Sequence, residues 1–361
     1  MNVRAVSAYA ELQARVRANY SRLLSTDSFI NLLQAKDFGT VLANLKKTAY
    51  GPYLDAVDPK DLSPRRAVYQ FYRRLADAYG KLIDLTPKPG RDLLLQLWRL
   101  FEIDNLKATL RGIENEASWD QVLYLLAPHE RHFLVSFDDM HTMLRQGNIA
   151  DALTVIRDTP YYDPLEHALN RYREEQTLFP LEVALDLDYR RGLWESIQKQ
   201  RGRDRKEALR LVGTVIDIDN LLWAIRYRVY HHLSEQEIIN YTVPFGYKAG
   251  DAHIRAIAAG ENIAAAVQGI YPESEEVGDF GQNPGEALTR LEQLLNRRVV
   301  RMCRAVFKGN PFHIGLPVAY LLLLEHEVED LTAVVEAKAS GLGAEMLYSV
   351  IDTVSLEPST E

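Results

Sequence analysis

Apolar positions along the chain recur at three- and four-residue intervals. Leu93, Leu94, Leu97, Leu100 and Phe101 begin one such stretch, and Leu106 and Leu110 continue it. Leu209, Val212, Val215, Ile216, Leu221 and Ile225 form a second, and Val328, Leu331, Val334 and Val335 a third. This spacing gathers apolar side chains on one face of a helix. The sequence has no sustained period-two alternation and no Asn-Gly or Asp-Gly hairpin turn, so strands are not expected. Pro and Gly cluster between the periodic stretches, at Thr86-Pro87-Lys88-Pro89-Gly90, Thr159-Pro160, Gly281-Gln282-Asn283-Pro284-Gly285 and Gly309-Asn310-Pro311. Helices are expected to break there. The predicted class is all-α.

The helical pattern repeats. Ile103-Asp104-Asn105-Leu106 recurs as Ile218-Asp219-Asn220-Leu221, an offset of 115 from Asn105 to Asn220. A degenerate third copy, Val328-Glu329-Asp330-Leu331, follows at an offset of 110 from Asn220 to Asp330. Arg111 and Arg226 stand six residues after the Asn in the first two copies, and Glu336 takes that place in the third. Arg pairs precede the copies by about one long helical hairpin: Arg73-Arg74, Arg190-Arg191 and Arg297-Arg298. A return hairpin predicts each pair beside its own motif.

A second kind of unit alternates with the first: a short helix, a turn, a short helix and a tyrosine. It ends at Tyr50, Tyr161 and Tyr271, with offsets of 111 and 110 between successive tyrosines. Two independent features thus share nearly one period. Three such units have no obvious closed core singly and bury their shared faces together. The expected architecture is three pseudo-threefold helical repeats forming a funnel with a central cavity. Along the chain it divides into 1–70 (N-terminal helices and the first small unit), 71–188 (first Asp-Asn-Leu motif), 189–295 (second motif) and 296–361 (third, degenerate motif), all within one integrated structure.

Composition narrows the partners. The 361 residues are 47% hydrophobic, and the formal net charge is -8. An acidic balance disfavours nucleic acid, whose phosphates call for a basic face. The single cysteine, Cys303, excludes an internal disulfide and suits a reducing compartment; its apolar surroundings read as a buried, inert thiol. The start, Met1-Asn2-Val3-Arg4-Ala5, lacks a signal-peptide core. The longest apolar run, Leu316 to Leu324, stops at Glu325, well short of the ~20 residues that cross a bilayer. A soluble protein is expected.

Catalytic signatures are missing. The only Gly-Lys pair, Gly80-Lys81, is followed by Leu82 and makes no phosphate loop. Glu325-His326-Glu327-x-Glu329 lacks the companion Glu-x-x-His of a helical metal centre and reads as the polar face of a helix. Asp138-Asp139 reads as helix capping. His231-His232 reads as a helix C-terminus, ahead of a capping box at Ser234-Glu235-Gln236-Glu237. Arg201, Arg203, Arg205 and Lys206 read as a solvated charge run between helices. The Asp-Asn pairs are different, because a polar pair inside an apolar stretch costs free energy unless satisfied. Two roles are open to them: buried hydrogen bonds that fix repeat geometry, with the Arg pairs as candidate partners, or a lining that meets another protein.

These motifs, in this order, resemble the C-type subunit of bacterial and archaeal V/A-type ATPases, the counterpart of the eukaryotic d-type subunit. The resemblance rests on Tyr9 to Arg17, on Lys47-Thr48-Ala49-Tyr50, and on Asp104-Asn105-Leu106-Lys107-Ala108-Thr109-Leu110-Arg111 with its second copy Asp219 to Arg226. It extends to Phe312 to Tyr320 and to Glu325 through Leu331. The third motif departs from the pattern, and Glu273 to Asp279 looks like a longer loop. The resemblance implies a non-catalytic central-stalk component of a rotary, ion-transporting ATPase or ATP synthase. Such a component joins the membrane proteolipid ring to shaft subunits of the D and F type, and it is cytoplasmic and peripheral. No cofactor, metal or nucleotide is implied. Residues Asp104, Asn105, Arg111, Asp219, Asn220, Arg226, Glu329 and Asp330 are the candidates for contact with shaft or ring. The alternative is a helical-repeat interaction scaffold without a rotary role.

Overall fold

The computed structural model describes residues 3–128, 131–260, 263–272, 280, 283–342 and 351–352. Seventeen helices and no strand occur among the described residues. The chain opens with α1 (Val3–Tyr20), α2 (Thr26–Leu33), α3 (Phe38–Leu45) and the single turn α4 (Gly51–Leu54). The long hairpin α5 (Pro64–Leu85) and α6 (Gly90–Glu114) follows, then α7 (Trp119–Leu123), α8 (Phe137–Arg145), α9 (Ile149–Val155) and α10 (Tyr162–Glu175). A second long pair is α11 (Phe179–Gln198) and α12 (Gly202–Val229). After it come α13 (Glu235–Asn240), α14 (Asp251–Ala259) and α15 (Ile263–Ile270). The last pair is α16 (Pro284–Val306) and α17 (Gly315–Ala339). Residues 273–279, the longer loop noted in the sequence, lie outside the described residues.

Local chemistry sets the helix ends. Ser63, Ser25, Asp37 and Asn148 each accept a backbone N–H from the first turn of the helix they begin, and Pro64 sits where its missing N–H costs nothing. Of the Asp138-Asp139 pair expected to cap a helix, Asp139 completes a capping box, its carboxylate reaching back 2.9 Å to the N–H of Ser136, which is itself the N-cap. Ser234 and Glu237 form another. The basic run differs from its expectation: Gly202 already starts α12, so Arg203, Arg205 and Lys206 occupy its first two turns.

The six long helices pack as a closed cycle. α5 lies against α6, α6 against α11, α11 against α12, α12 against α16, α16 against α17, and α17 against α5 again; α12 and α17 also touch directly. Helix α17 is flanked by α1, α3, α5, α12 and α16. Its Leu316 to Leu324 run is buried throughout because neighbours cover it on every side, which is why it is apolar all round. No helix among the described residues is long and apolar enough to cross a membrane. The N-terminus is fastened into the cycle by Asp204 at the start of α12. This residue takes 3.0 and 2.8 Å hydrogen bonds from the Tyr9 hydroxyl and the Ile314 N–H. Cys303 is fully buried, and burial pushes its thiol pKa up.

Candidate functional site: three latches and an acidic recess

The Asn and Asp at the heart of each motif point into the protein. Asn105 and Asn220 are buried at 1% and 0% exposure, and Asp330 at 4%. Asn105 accepts the Ala127 N–H at 2.6 Å and donates to the Ala127 carbonyl at 3.3 Å. Asn220 does the same to Val243, at 3.1 and 3.0 Å. Asp330 accepts the Asp352 N–H at 3.0 Å. Each side chain thus latches backbone 22 or 23 residues further on. An amide offers both a donor and an acceptor, whereas a carboxylate only accepts. The third latch therefore accepts a backbone N–H as the first two do, but its carboxylate cannot donate to a carbonyl.

Three residues before each latch stands a buried acid that the motif pattern did not single out. Glu102 takes the Tyr161 hydroxyl at 2.5 Å, the Val135 N–H at 2.6 Å and the Leu134 N–H. Asp217 takes the Tyr271 hydroxyl at 2.9 Å and the N–H groups of Tyr247 and Lys248 at 2.8 and 2.7 Å. Glu327 takes the Tyr50 hydroxyl at 2.9 Å, the Leu24 N–H at 2.6 Å and Arg74 Nη1 at 2.6 Å. The three period-marking tyrosines, all buried, each end on one of these acids. A Cβ at Gly246 would come within 1.9 Å of Asp217 Oδ1, so only glycine lets this loop approach. Burial raises the pKa of Glu102 and Asp217, against the hydrogen bonds they accept. The signal in the sequence is an acid at a constant spacing of three before Asn105, Asn220 and Asp330.

The Arg pairs need correction. Arg74 meets Glu327 of the third copy, not Asn105 of its own hairpin, and its guanidinium lies 4.3 Å over the Tyr50 ring. The reason is the packing of α5 directly against α17. Arg190 does lie by its own motif, 4.0 Å from Asp219, and Arg297 donates to the Ile351 carbonyl beside Asp352 at 3.2 Å. None of these arginines supplies the bonds that hold Asn105 or Asn220.

The acids one residue before the latches face outward into two recesses. One, of about 760 Å³, is lined by Asp104, Glu325, Glu329, Glu336 and Arg65 among others, and the other, of about 340 Å³, by Asp219, Glu292, Glu325, Glu329, Arg226 and His326. They share Leu100, Glu325 and Glu329. The side chains of Asp104, Asp219 and Glu329 are 59%, 39% and 61% exposed. Protein surrounds the two aspartates on their remaining sides, and this burial, with Asp186 nearby, holds both pKa values above the ordinary range. Arg111 and Arg226 pair with Glu182 and Glu292 at 2.7 and 2.8 Å. Six carboxylates thus face three basic groups across the combined lining.

Burial also raises Glu325 to about 7, against a hydrogen bond from Tyr79. Burial lowers the neighbouring His326, but Glu329 at 3.4 Å overrides it and raises the imidazole to about 9. The Glu325-His326-Glu327-x-Glu329 run is therefore divided among three tasks: Tyr79, the Tyr50–Arg74 knot, and the recess. Among the described residues no three side chains are grouped to hold a metal.

Comparison with known proteins decides the family. The family described as ATP synthase (C/AC39) subunit matches residues 12–349. The chain belongs to this family. The C subunit of the A-type ATP synthase of Methanocaldococcus jannaschii is 22% identical to it over 95% of this chain and 86% of that protein. The corresponding A-type ATP synthase subunits of Methanothermobacter thermautotrophicus and Methanosarcina mazei are each 25% identical, over 91% and 94% of this chain and 84% and 92% of theirs. As a member of this family it is a non-catalytic part of an ion-transporting ATP synthase complex.

Proposed function

We propose that this chain is the central-stalk coupling piece of a rotary V/A-type ATPase, seated between the membrane proteolipid ring and shaft subunits of the D and F type, and that it transmits torque between them. The observation that carries this reading is the threefold recurrence of one latch. An acid and an Asn or Asp recur on α6, α12 and α17, each acid takes the hydroxyl of a small-unit tyrosine, and the first small unit completes the set on the last long helix. On this reading the six-helix cycle is a pseudo-threefold funnel. The chain divisions 71–188 and 189–295 are two of its wedges, and 1–70 with 296–361, joined through Tyr50, makes the third. Asp104, Asp219 and Glu329 present a net-acidic mouth to a basic shaft tip, with Arg111 and Arg226 tethered at its rim. Asn105, Asn220 and Asp330 act from behind, holding the wedges stiff. Such a protein works on the cytoplasmic side, peripheral to the membrane.

The test is capture. The tagged chain is mixed with the shaft subunits and, separately, with the detergent-solubilised ring, and the products are weighed by native mass spectrometry. One-to-one capture of the shaft together with ring binding supports coupling. Capture of neither by folded protein overturns it and favours a general helical scaffold.

A further inference from the structure

A concavity of about 880 Å³ lies away from the acidic recess, between α1, α2, α4 and α5. Its lining carries six cations, Arg15, Arg22, Lys47, Arg73, Arg74 and Lys81, and one carboxylate, Asp77. The chain as a whole has 50 acidic and 42 basic residues, so this local balance runs against composition. Asp77 is occupied by the Tyr53 hydroxyl at 2.9 Å. Arg74, at the floor, is tied to Glu327. Among the described residues the other five cations have no carboxylate partner. Unpaired like charges crowded into one concavity repel, and an anion between them relieves that repulsion.

The remaining lining fits the same kind of ligand. Ser21, Ser25 and Ser28 contribute hydroxyls. Helix α2 begins at this wall with Ser25 as its N-cap, turning the positive end of its dipole toward the space. Arg forks and Lys ammonium groups on separate elements suit several oxygens spread over a compact ligand.

We propose that this recess binds a multivalent phosphorylated ligand, either a soluble polyphosphate-type anion or the phosphorylated headgroup of a lipid. The site is separate from the acidic mouth and does not depend on the coupling role. Because Arg74 and Leu24 both bond Glu327, an anion here presses on the side chain that joins the first small unit to α17.

Isothermal titration of the full chain with sodium tripolyphosphate at low salt tests this, beside flotation with phosphatidylcholine vesicles with and without a phosphorylated inositol lipid. One saturable site is expected, weakened at least about tenfold in the R73Q/K81Q variant, unchanged in K199Q and weakened by added salt. Both replaced side chains are exposed, and the thermal melt of the variant confirms that it folds. Binding of tripolyphosphate supports a soluble ligand, and binding only to the phosphorylated vesicles supports the headgroup. Binding to neither, or binding that R73Q/K81Q leaves unchanged, overturns the proposal. Tighter binding of poly-glutamate than of tripolyphosphate overturns it in favour of an acidic protein segment.

Discussion

Tyr50 and Glu327 stand 277 residues apart in the chain and share a buried hydrogen bond of 2.9 Å. The matching bonds, Tyr161 to Glu102 and Tyr271 to Asp217, run forward to a later small unit, 59 and 54 residues away. Of these three tyrosine bonds, only Tyr50–Glu327 runs from one end of the chain to the other. It ties the first small unit to α17, and Arg74 on α5 bonds the same carboxylate where α5 closes the cycle of long helices.

Replacing Glu327 with Ala is expected to be the most damaging single change at the latches. It leaves Arg74 buried at 7% side-chain exposure without its counter-charge, a situation that costs about 3–5 kcal/mol. Replacing Tyr50 with Phe removes one hydrogen bond and should cost about 1–2 kcal/mol. Urea unfolding of the two variants measures the difference. Equal losses would mean that Arg74 is satisfied without Glu327.

The Asn latches give a graded series. Asn220→Ala strands the buried Val243 N–H and C=O, for about 2 kcal/mol or more, and Asn105→Ala strands the part-buried Ala127 pair, for somewhat less. Asp330→Asn keeps the acceptor for the Asp352 N–H and should cost less. If Asp330→Asn destabilises as much as Asn220→Ala, the carboxylate charge matters there and the amide analogy fails.

Stability should fall as pH rises. Glu325 and Asp352, both raised by burial to about 7 from ordinary values of 4.5 and 3.8, stabilise in the protonated form. Their contribution is complete below the ordinary value and lost through about 7. His326, raised to about 9 from 6.5, contributes fully below 6.5 and loses its contribution through about 9. Melting temperatures between pH 5 and 9 test this, and Glu325→Gln should flatten the lower part of the slope. An unchanged slope in that variant would assign it to Asp352 and the other buried acids, Glu102 and Asp217.

The helices, their breaks and the tyrosine period are legible in the sequence because each follows from local spacing. The position of Arg74 is not. A period near 110 says that equivalent sites exist, but not which neighbour a helix turns to, and the packing of α5 on α17 is a property of closure. The acids Glu102, Asp217 and Glu327 are hidden for a related reason. Their spacing from the motif is constant, yet an isolated acid near a helix middle looks like surface until the tyrosine that meets it is known. The sequence marks the outward aspartates but does not separate them from the inward asparagines beside them. Adjacent helix positions differ by about 100°, enough to give one residue to the recess and the next to the core.

That separation yields the sharpest test of the coupling reading. Asp104, Asp219 and Glu329 make no hydrogen bond to a backbone latch, and their side chains are 39–61% exposed. The triple variant Asp104→Asn, Asp219→Asn, Glu329→Gln should therefore stay folded with every latch in place, its stability lowered only where Glu329 pairs with His326 and Asp219 faces Arg190. If a basic shaft tip enters this mouth, the variant loses attraction at encounter, so capture should slow and its salt dependence should shrink, with affinity down about tenfold. The latch variants should show the opposite pattern, with stability lost and shaft affinity restored when they are measured at low temperature where they stay folded. Surface-based association rates at two salt concentrations separate the two. A folded triple variant that captures the shaft at the original rate would move the contact away from the acidic recess.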